Sequence, residues 1–335
     1  MGLLDFLFKS KKKLNTEAAQ VRQSSTSQTI VSFSGDFMEI KSIGFSGLFN
    51  KSKSGEWIIG WRDSVEQHRQ GNRERVHGRY VLYNAIQKRI TLQGKLERPN
   101  SGSVANNGCF SIEDSHFGGG LSGTFYVFTP AGKELIKKRL NANIHNSGIS
   151  NEGRFAICET LFNPKNVDSH QLIAFSIEQG NELFSVPTKT ELASSYEFIE
   201  NTAHFVVNIK NIGKFRYDSQ GSFIDAEKYD AAQLNCNQYI KVLGAAEKML
   251  NEPSLSQGQA KAALAASIRA RSLIKDNDHQ SWKAVALKIQ GMAHENLGNI
   301  NEALSAYDDA LKINPKIGIK RKADALRKKL KRTRL

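Results

Sequence analysis

The sequence is poor in cysteine and proline, and it lacks a long apolar run. Its 335 residues contain six prolines and three cysteines, Cys109, Cys158 and Cys236, without a Cys-x-x-Cys pair. This spacing excludes a disulfide scaffold and a structural zinc site, and it favours a reducing, cytoplasmic compartment. A bilayer span needs about 18 consecutive apolar residues, and none occurs, so we expect a soluble protein.

Acidic residues are scarce at the C-terminal end, and most of the net charge lies there. The chain has 47 Lys and Arg against 33 Asp and Glu, a net charge of +14. Residues 316–335 hold ten basic residues and one acidic residue, or +9, whereas residues 29–225 contribute +2 and residues 226–315 contribute zero. The body of the protein is therefore close to neutral, and most of the excess positive charge belongs to the C-terminal tail.

A strand pattern recurs four times in the first two thirds of the chain. Each copy has a small residue, an aromatic two positions on, and alternating apolar residues. The aromatics are Trp57, Phe110, Phe155 and Phe205, spaced by 53, 45 and 50 positions. A second apolar pattern follows each copy and ends at Tyr83, Phe128, Phe175 and Tyr217. Alternation predicts half-buried strands, and the intervening turns give each unit about four of them.

A four-strand unit with a period of about 40–50 residues is typical of a propeller blade. Residues 29–225 resemble the WD-repeat and related β-propellers in period and strand pattern, with degenerate blades that lack the Gly-His and Trp-Asp dipeptides. The resemblance implies a four-unit β-propeller-like domain with its aromatics in the core. Residues 29–41 predict a further strand pair. This pair either closes the ring against the last unit or leaves the sheet array open, with edges that are exposed unless a partner covers them.

Helical spacing begins after Asp225, with predicted helices over residues 226–250 and 259–274. Residues 284–315 resemble a tetratricopeptide repeat, and the matching positions are Gly291, Ala303, Tyr307, Ala310 and Pro315. The resemblance implies two closely packed antiparallel helices with Tyr307 between them. Gln290 stands where the family has Leu.

A weaker copy of the repeat covers about residues 232–276. About three repeats are needed for independent stability, so we expect the helical part to depend on the propeller or on a partner. The predicted organisation is an apolar and basic segment with its linker (1–28), a propeller-like domain (29–225), a tetratricopeptide-like domain (226–315) and a basic helix (316–335). This combination resembles uncharacterised prokaryotic proteins.

Two basic stretches are candidate interaction sites. The first is a long turn over residues 62–79, with Arg62, Arg69, Arg73 and Arg75. It is either a contact surface for nucleic acid or an acidic partner, or a solvated insertion. His68 and His77 in this turn do not have the spacing of a metal site.

The second basic stretch is the C-terminal helix. Its candidate residues are Lys320, Arg321, Lys322, Arg327, Lys328 and Lys329. This helix is either a cap with a solvated outer face or a binding face for nucleic acid, an acidic protein or a membrane surface. At the other end of the chain, an apolar run to Phe8 precedes four lysines and either docks on a membrane or partner or folds back on the protein.

Runs of Asp, Ser and His occur at residues 114–116 and 168–170, and these are the residue types of a hydrolytic triad. Triad residues converge from distant positions, so we expect these runs to be turns in which Asp and Ser bond their own backbone. We expect no catalytic, cofactor-binding or metal-binding residues. The predicted function is a non-catalytic scaffold or adaptor with a protein partner; the alternative is a nucleic-acid-associated protein, and a membrane partner is not expected.

Overall fold

The computed structural model describes residues 29–69, 72–117, 120–164, 166–275 and 278–333, without the side chains of residues 65–75. The predicted apolar segment and linker at residues 1–28 lie outside this part. The chain divides into two compact units. One extends to Phe205 and includes Asp218–Gly221, and the other comprises Val206–Tyr217 and the residues from Ser222 onward.

The first sheet is the largest. Its part of the chain contains β1 (Ser32–Ser34), β2 (Phe37–Ile40), β3 (Phe45–Lys51), β4 (Trp57–Arg62), β5 (Val65–Arg69), β6 (Asn72–Val76), β7 (Gly78–Asn84) and β8 (Arg89–Leu96). Six of these strands form an antiparallel sheet in the order β1-β2-β3-β4-β7-β8. The other two, β5 and β6, form a separate hairpin.

Three further sheets follow. The second contains β9 (Pro99–Val104), β10 (Phe110–Ser115), β11 (Gly123–Phe128) and β12 (Glu134–Leu140); the third contains β13 (Ile144–Ile149), β14 (Phe155–Thr160), β15 (Gln171–Ser176) and β16 (Asn181–Pro187). The fourth contains β17 (Ser195–Ile199), β18 (His204–Ile209) and β19 (Gly213–Tyr217). These sheets are β-propeller-like. The second and third have the four strands that the sequence predicts for a unit, whereas the described part of the fourth has three.

The array of sheets is not closed. Residues 29–41 form the predicted strand pair, and of the two alternatives the structure has the open array: β1 and β2 extend the first sheet through pairing with β3. Among the described residues, no strand pairing joins the first sheet to the fourth. The physical reason is local, since a short turn makes pairing with the next strand in sequence easy.

The repeated aromatics lie in the core as the sequence predicts. Phe110, Phe155 and Phe205 are buried, and Trp57 is half-buried. Aromatic rings join the first sheet to the second: the ring centroid of Tyr80 on β7 lies 5.8 Å from that of Phe110 and 5.8 Å from that of Phe128. Burial raises the pKa of the Tyr80 phenol to about 12.

A left-handed residue in the turn before the second strand of each unit also repeats. Gly55, Gly108 and Gly153 have φ values of 74°, 82° and 71°. In the fourth unit Ala203 occupies this place with φ 50°. Glycine tolerates such a backbone without a steric penalty, whereas alanine does not.

Helices form the rest of the described chain. They are α1 (Ala226–Asn235), α2 (Tyr239–Leu250), α3 (Gln257–Leu273), α4 (Ser281–Asn296), α5 (Ile300–Ile313) and α6 (Lys320–Thr333). Alanines on one face of α3 are buried, as are Leu287 and Ile289 of α4. Small side chains let neighbouring helices approach closely, and they leave few deep cavities in this core.

Candidate functional site

Four of the positions that the sequence analysis compared with a tetratricopeptide repeat lie where α4 packs on α5: Gly291, Ala303, Tyr307 and Ala310. A Cβ atom on Gly291 would lie 2.4 Å from two ring atoms of Tyr307, so the helices contact through the bare backbone of this glycine. Tyr307, Ala303 and Ala310 are fully buried. The Tyr307 hydroxyl donates to Glu295 Oε2 at 2.9 Å, and burial and this hydrogen bond raise the pKa of the phenol. Pro315 is exposed just after α5.

Two of the predicted basic residues of α6 form ion pairs within the helical unit. Arg327 contacts Asp308 of α5 and also pairs with Asp324 at 2.6 Å. Lys322 Nζ lies 3.0 Å from Glu295 Oε2. Ion pairs at such half-exposed positions contribute about 0–1 kcal/mol each. The pairs with Asp308 and Glu295 hold one face of α6 against α5 and α4.

The remaining predicted residues of α6 are on its outer side. Lys320, Arg321, Lys328 and Lys329 are all exposed. The apolar face of the helix is buried instead, through Ala323 and Leu326. The structure therefore separates α6 into a packed face and a basic outer face.

The Arg-rich stretch is a hairpin and not the irregular turn that was expected. The strands β5 and β6 pair in register from Val65 with Val76 to Arg69 with Asn72. The side chains of Arg69, Arg73 and Arg75 lie outside the described residues. Arg62 is at the base of the hairpin, where it pairs with Arg79 across β4 and β7. Burial, with Arg62 nearby, lowers the pKa of the Arg79 guanidinium.

The Asp-Ser-His runs do not form a hydrolytic site. His116 Nε2 lies 2.8 Å from Thr124 Oγ1 and its Nδ1 lies 3.1 Å from Ser122 Oγ, while Asp114 accepts a hydrogen bond from the Arg98 backbone N–H at 2.7 Å. In the other run, Asp168 accepts from the Asn141 backbone N–H at 2.8 Å.

The expectation that these aspartates bond their own turns is therefore wrong for Asp114 and Asp168. Each ties its turn to the segment that leads into the first strand of its own sheet. Only Asp63, in the comparable place of the first unit, behaves as expected, because its Oδ1 accepts from the Ser64 backbone N–H at 2.6 Å.

Buried carboxyl groups in the sheets were missed by the sequence reasoning. Glu113, Asp114 and Glu159 are all buried at the ends of second strands. Burial raises the pKa of each, to about 6 for Asp114. Glu159 Oε2 accepts from the Ala193 backbone N–H at 2.8 Å and from the Tyr196 hydroxyl at 3.1 Å. These contacts link β14 of the third sheet to β17 of the fourth and to the loop before it, which indicates a structural role.

A groove between α3 and α4 is another feature that the sequence motifs did not identify. It has a volume of about 480 Å³. The residues that line it are Ile268, Arg271, Ser272, Ile274, Lys283 and Gln290. The only sequence signal was Gln290, a polar residue where the repeat pattern has Leu.

Several large apolar side chains of the first sheet are exposed. Phe33 of β1 is 43% exposed and Phe37 of β2 is 55% exposed. Ile30, which precedes β1, and Ile86, in the turn between β7 and β8, are more exposed still. Exposed apolar groups on an edge strand are common at protein-interaction surfaces.

Two classes of site find no support in the described residues. In residues 29–69, 72–117, 120–164, 166–275 and 278–333, no group of three or more His, Cys, Asp or Glu side chains is arranged to hold a metal ion. Every helix in the part of the chain that the structure describes falls short of the length and apolar character that a membrane crossing requires.

Comparison with known proteins identifies structures only. No protein-family model matches the chain, and no curated protein does so either. Its fold is similar to that of HIRA(644–1017), with 11% identity and a TM-score of 0.36 over 83% of this chain and 94% of that one.

Two propellers are also similar. The Cps50 (Swd1) β-propeller domain of Myceliophteria thermophila has 11% identity and a TM-score of 0.38, over 58% of this chain and 56% of that one. The Dos1 propeller has 14% identity and a TM-score of 0.34, over 52% of this chain and 44% of that one. The chain thus spans about half the length of these two structures, and similarity at this level assigns neither a function nor a partner.

Proposed function

We propose that the protein is a non-catalytic, cytoplasmic scaffold or adaptor that binds another protein through the loops of its propeller-like sheets and a groove of its tetratricopeptide-like helices. The observation that carries this proposal is the contact of Gly291 with the Tyr307 ring. Helical repeats joined through small residues expose long side surfaces, and such surfaces serve mainly for binding. The exposed Phe33 and Phe37 on the first sheet support the same role.

The test is an affinity pull-down from native lysate, with and without nuclease. The full-length chain is compared with a chain that ends at Pro315 and so lacks α6. A discrete protein that co-purifies after nuclease treatment supports the scaffold role. Loss of all partners on nuclease treatment contradicts it.

A second candidate is a nucleic-acid-associated role, which the exposed outer face of α6 favours. Lys320, Arg321 and Lys328 lie on that face. Each phosphate contact contributes about one to the slope of log affinity against log salt concentration. Neutralising the three residues together should lower that slope by about three, and an unchanged slope would remove this candidate.

A further inference from the structure

The groove between α3 and α4 has one regular wall on each helix. Ile268, Arg271 and Ser272 are spaced i, i+3 and i+4, so they share a face of α3. Lys283 and Gln290 are seven positions apart, two turns along one face of α4. The groove therefore follows the two helices, and Ile274, just after the end of α3, completes its lining.

An unsatisfied donor lies in this groove. Gln290 is only 8% exposed, and its Nε2 has no hydrogen-bond partner among the described residues. A buried amide without a partner lowers stability, and most buried polar groups are paired. An apolar residue would serve packing better at this position. The Nε2 atom is closed to solvent, so a ligand with an acceptor oxygen satisfies the amide only after the side chain turns toward the groove.

The charge around this donor is positive. Arg271 is exposed and Lys283 is half-buried, and α3 contains neither Asp nor Glu along its whole length. Beside them, the side chain of Ile268 is 54% exposed. The groove thus combines a buried donor, two cations and an apolar wall.

We propose that this groove binds an acidic segment of a partner protein. The Gln290 side chain turns toward the groove, and a carboxylate of the segment accepts a hydrogen bond from its Nε2. Neighbouring acidic groups pair with Arg271 and Lys283, and an apolar side chain covers Ile268. The inference rests on the proposed scaffold function and names the chemistry of its partner. A nucleic-acid backbone fits less well, because a phosphodiester is substituted on both sides and has no apolar group to place on Ile268.

The first test uses the full-length protein and an array of short synthetic peptides in which Asp or Glu alternates with Leu or Phe. Matched peptides carry Asn or Gln in place of the acids. Binding is measured by fluorescence anisotropy for Arg271→Glu and for the control Lys261→Glu, which makes the same charge reversal on α3 outside the groove. We expect Arg271→Glu to weaken acidic-peptide binding about tenfold or more and the control to change it less than about twofold.

The second test is Gln290→Leu, which separates binding from stability. Because it removes a buried unpaired amide, it should raise the thermal midpoint while it weakens peptide binding severalfold. A purely structural Gln290 would leave peptide binding unchanged. Equal losses in Arg271→Glu and Lys261→Glu, or binding of the neutral peptides as tight as that of the acidic ones, would overturn the proposal.

Competition with a single-stranded oligonucleotide completes the design. If the oligonucleotide binds and Arg271→Glu abolishes that binding, the groove is a nucleic-acid site and the proposal is wrong. Failure of the groove and failure of the scaffold role remain distinguishable. A protein partner recovered from lysate without acidic-peptide binding refutes the groove, whereas Arg271-dependent peptide binding without any recovered partner refutes the scaffold role.

Discussion

The contact between Gly291 and Tyr307 gives the sharpest test of the helical packing. In the Gly291→Ala variant the new Cβ would lie 2.4 Å from two atoms of the Tyr307 ring, a distance that carbon atoms do not tolerate. The ring is fully buried, and its hydroxyl is held by Glu295, so it has little freedom to move away. Gly244→Ala in α2 is the matched control, because nothing lies within 4 Å of its new Cβ.

Opposing contributions determine the size of the effect. Replacing glycine by alanine within a helix gains about 1 kcal/mol in propensity. Overpacking of a tight core costs about 1–3 kcal/mol, and a contact this short belongs at the upper end. We therefore expect Gly291→Ala to lower the free energy of unfolding by about 1–2 kcal/mol, while Gly244→Ala raises it by about 0.5–1 kcal/mol.

Urea unfolding followed by far-ultraviolet circular dichroism, which is dominated by the helices, measures both variants. The double variant Gly291→Ala with Tyr307→Leu completes a cycle, and the two changes should couple favourably because leucine leaves room for the new methyl group. If Gly291→Ala proves as stable as Gly244→Ala, the close approach of α4 and α5 is wrong.

Three further predictions concern the sheets. Ala203→Gly should stabilise the protein by about 0.5–1 kcal/mol in thermal unfolding, because it removes a left-handed alanine, whereas Gly55→Ala at the equivalent turn should destabilise it by about 1 kcal/mol. The pKa of Asp114 is raised to about 6, so its contribution is fully present below its unfolded pKa of about 4 and is lost as the pH rises through 6. The change amounts to about 3 kcal/mol in the free energy of unfolding. Asp114→Asn should therefore reduce the dependence of the urea unfolding midpoint on pH between about pH 4 and 6. If that pH dependence is the same in the variant, the raised pKa of Asp114 is wrong. Cys158 is fully buried with a raised thiol pKa, so a maleimide should label half-buried Cys109 in the native protein and Cys158 only after unfolding.

Local patterns predicted the strands well because each strand has its own signal. The recurring aromatics mark second strands whose apolar alternation can be read within a few residues, and their burial confirms this interpretation. The helices behaved similarly at residues 259–274, where α3 covers Gln257–Leu273. The period of apolar residues in a strand or helix depends on which side chains share a face of that element. It can therefore be recognised in the sequence without knowing which elements pack against it.

Helix ends depended on distant residues, and there the sequence reasoning was less successful. Residues 226–250 were expected to be helical throughout, but α1 ends at Asn235 and α2 begins at Tyr239. The break has no glycine or proline. Arg269 of α3 donates to the backbone carbonyls of Leu234 and Cys236, which satisfies acceptors that α1 leaves open at its end. A contact across more than thirty positions has no local signature.

The aspartates show the same limit within the sheets. Asp168 could satisfy its carboxylate in its own turn, and short-range reasoning favours that outcome. It accepts instead from Asn141, 27 positions earlier. The partner of the Asp168 carboxylate depends on the position of the Asn141 backbone N–H, just before the first strand of the sheet. That position is set only when the sheet has folded.

The strand pair β1–β2 explains how the first sheet tolerates an open array. Met38 of β2 is fully buried, and a Cβ on Gly60 of β4 would lie 2.4 Å from its sulfur atom. The glycine on β4 thus makes room for a side chain that covers this face of the sheet, where a neighbouring blade would pack in a closed ring. The pair buries the inner part of this face only. Phe33, which pairs with Met38, stays exposed on it, whereas Phe37 lies on the opposite face. A bulkier residue at position 60 would displace Met38 and enlarge the exposed apolar area on this face.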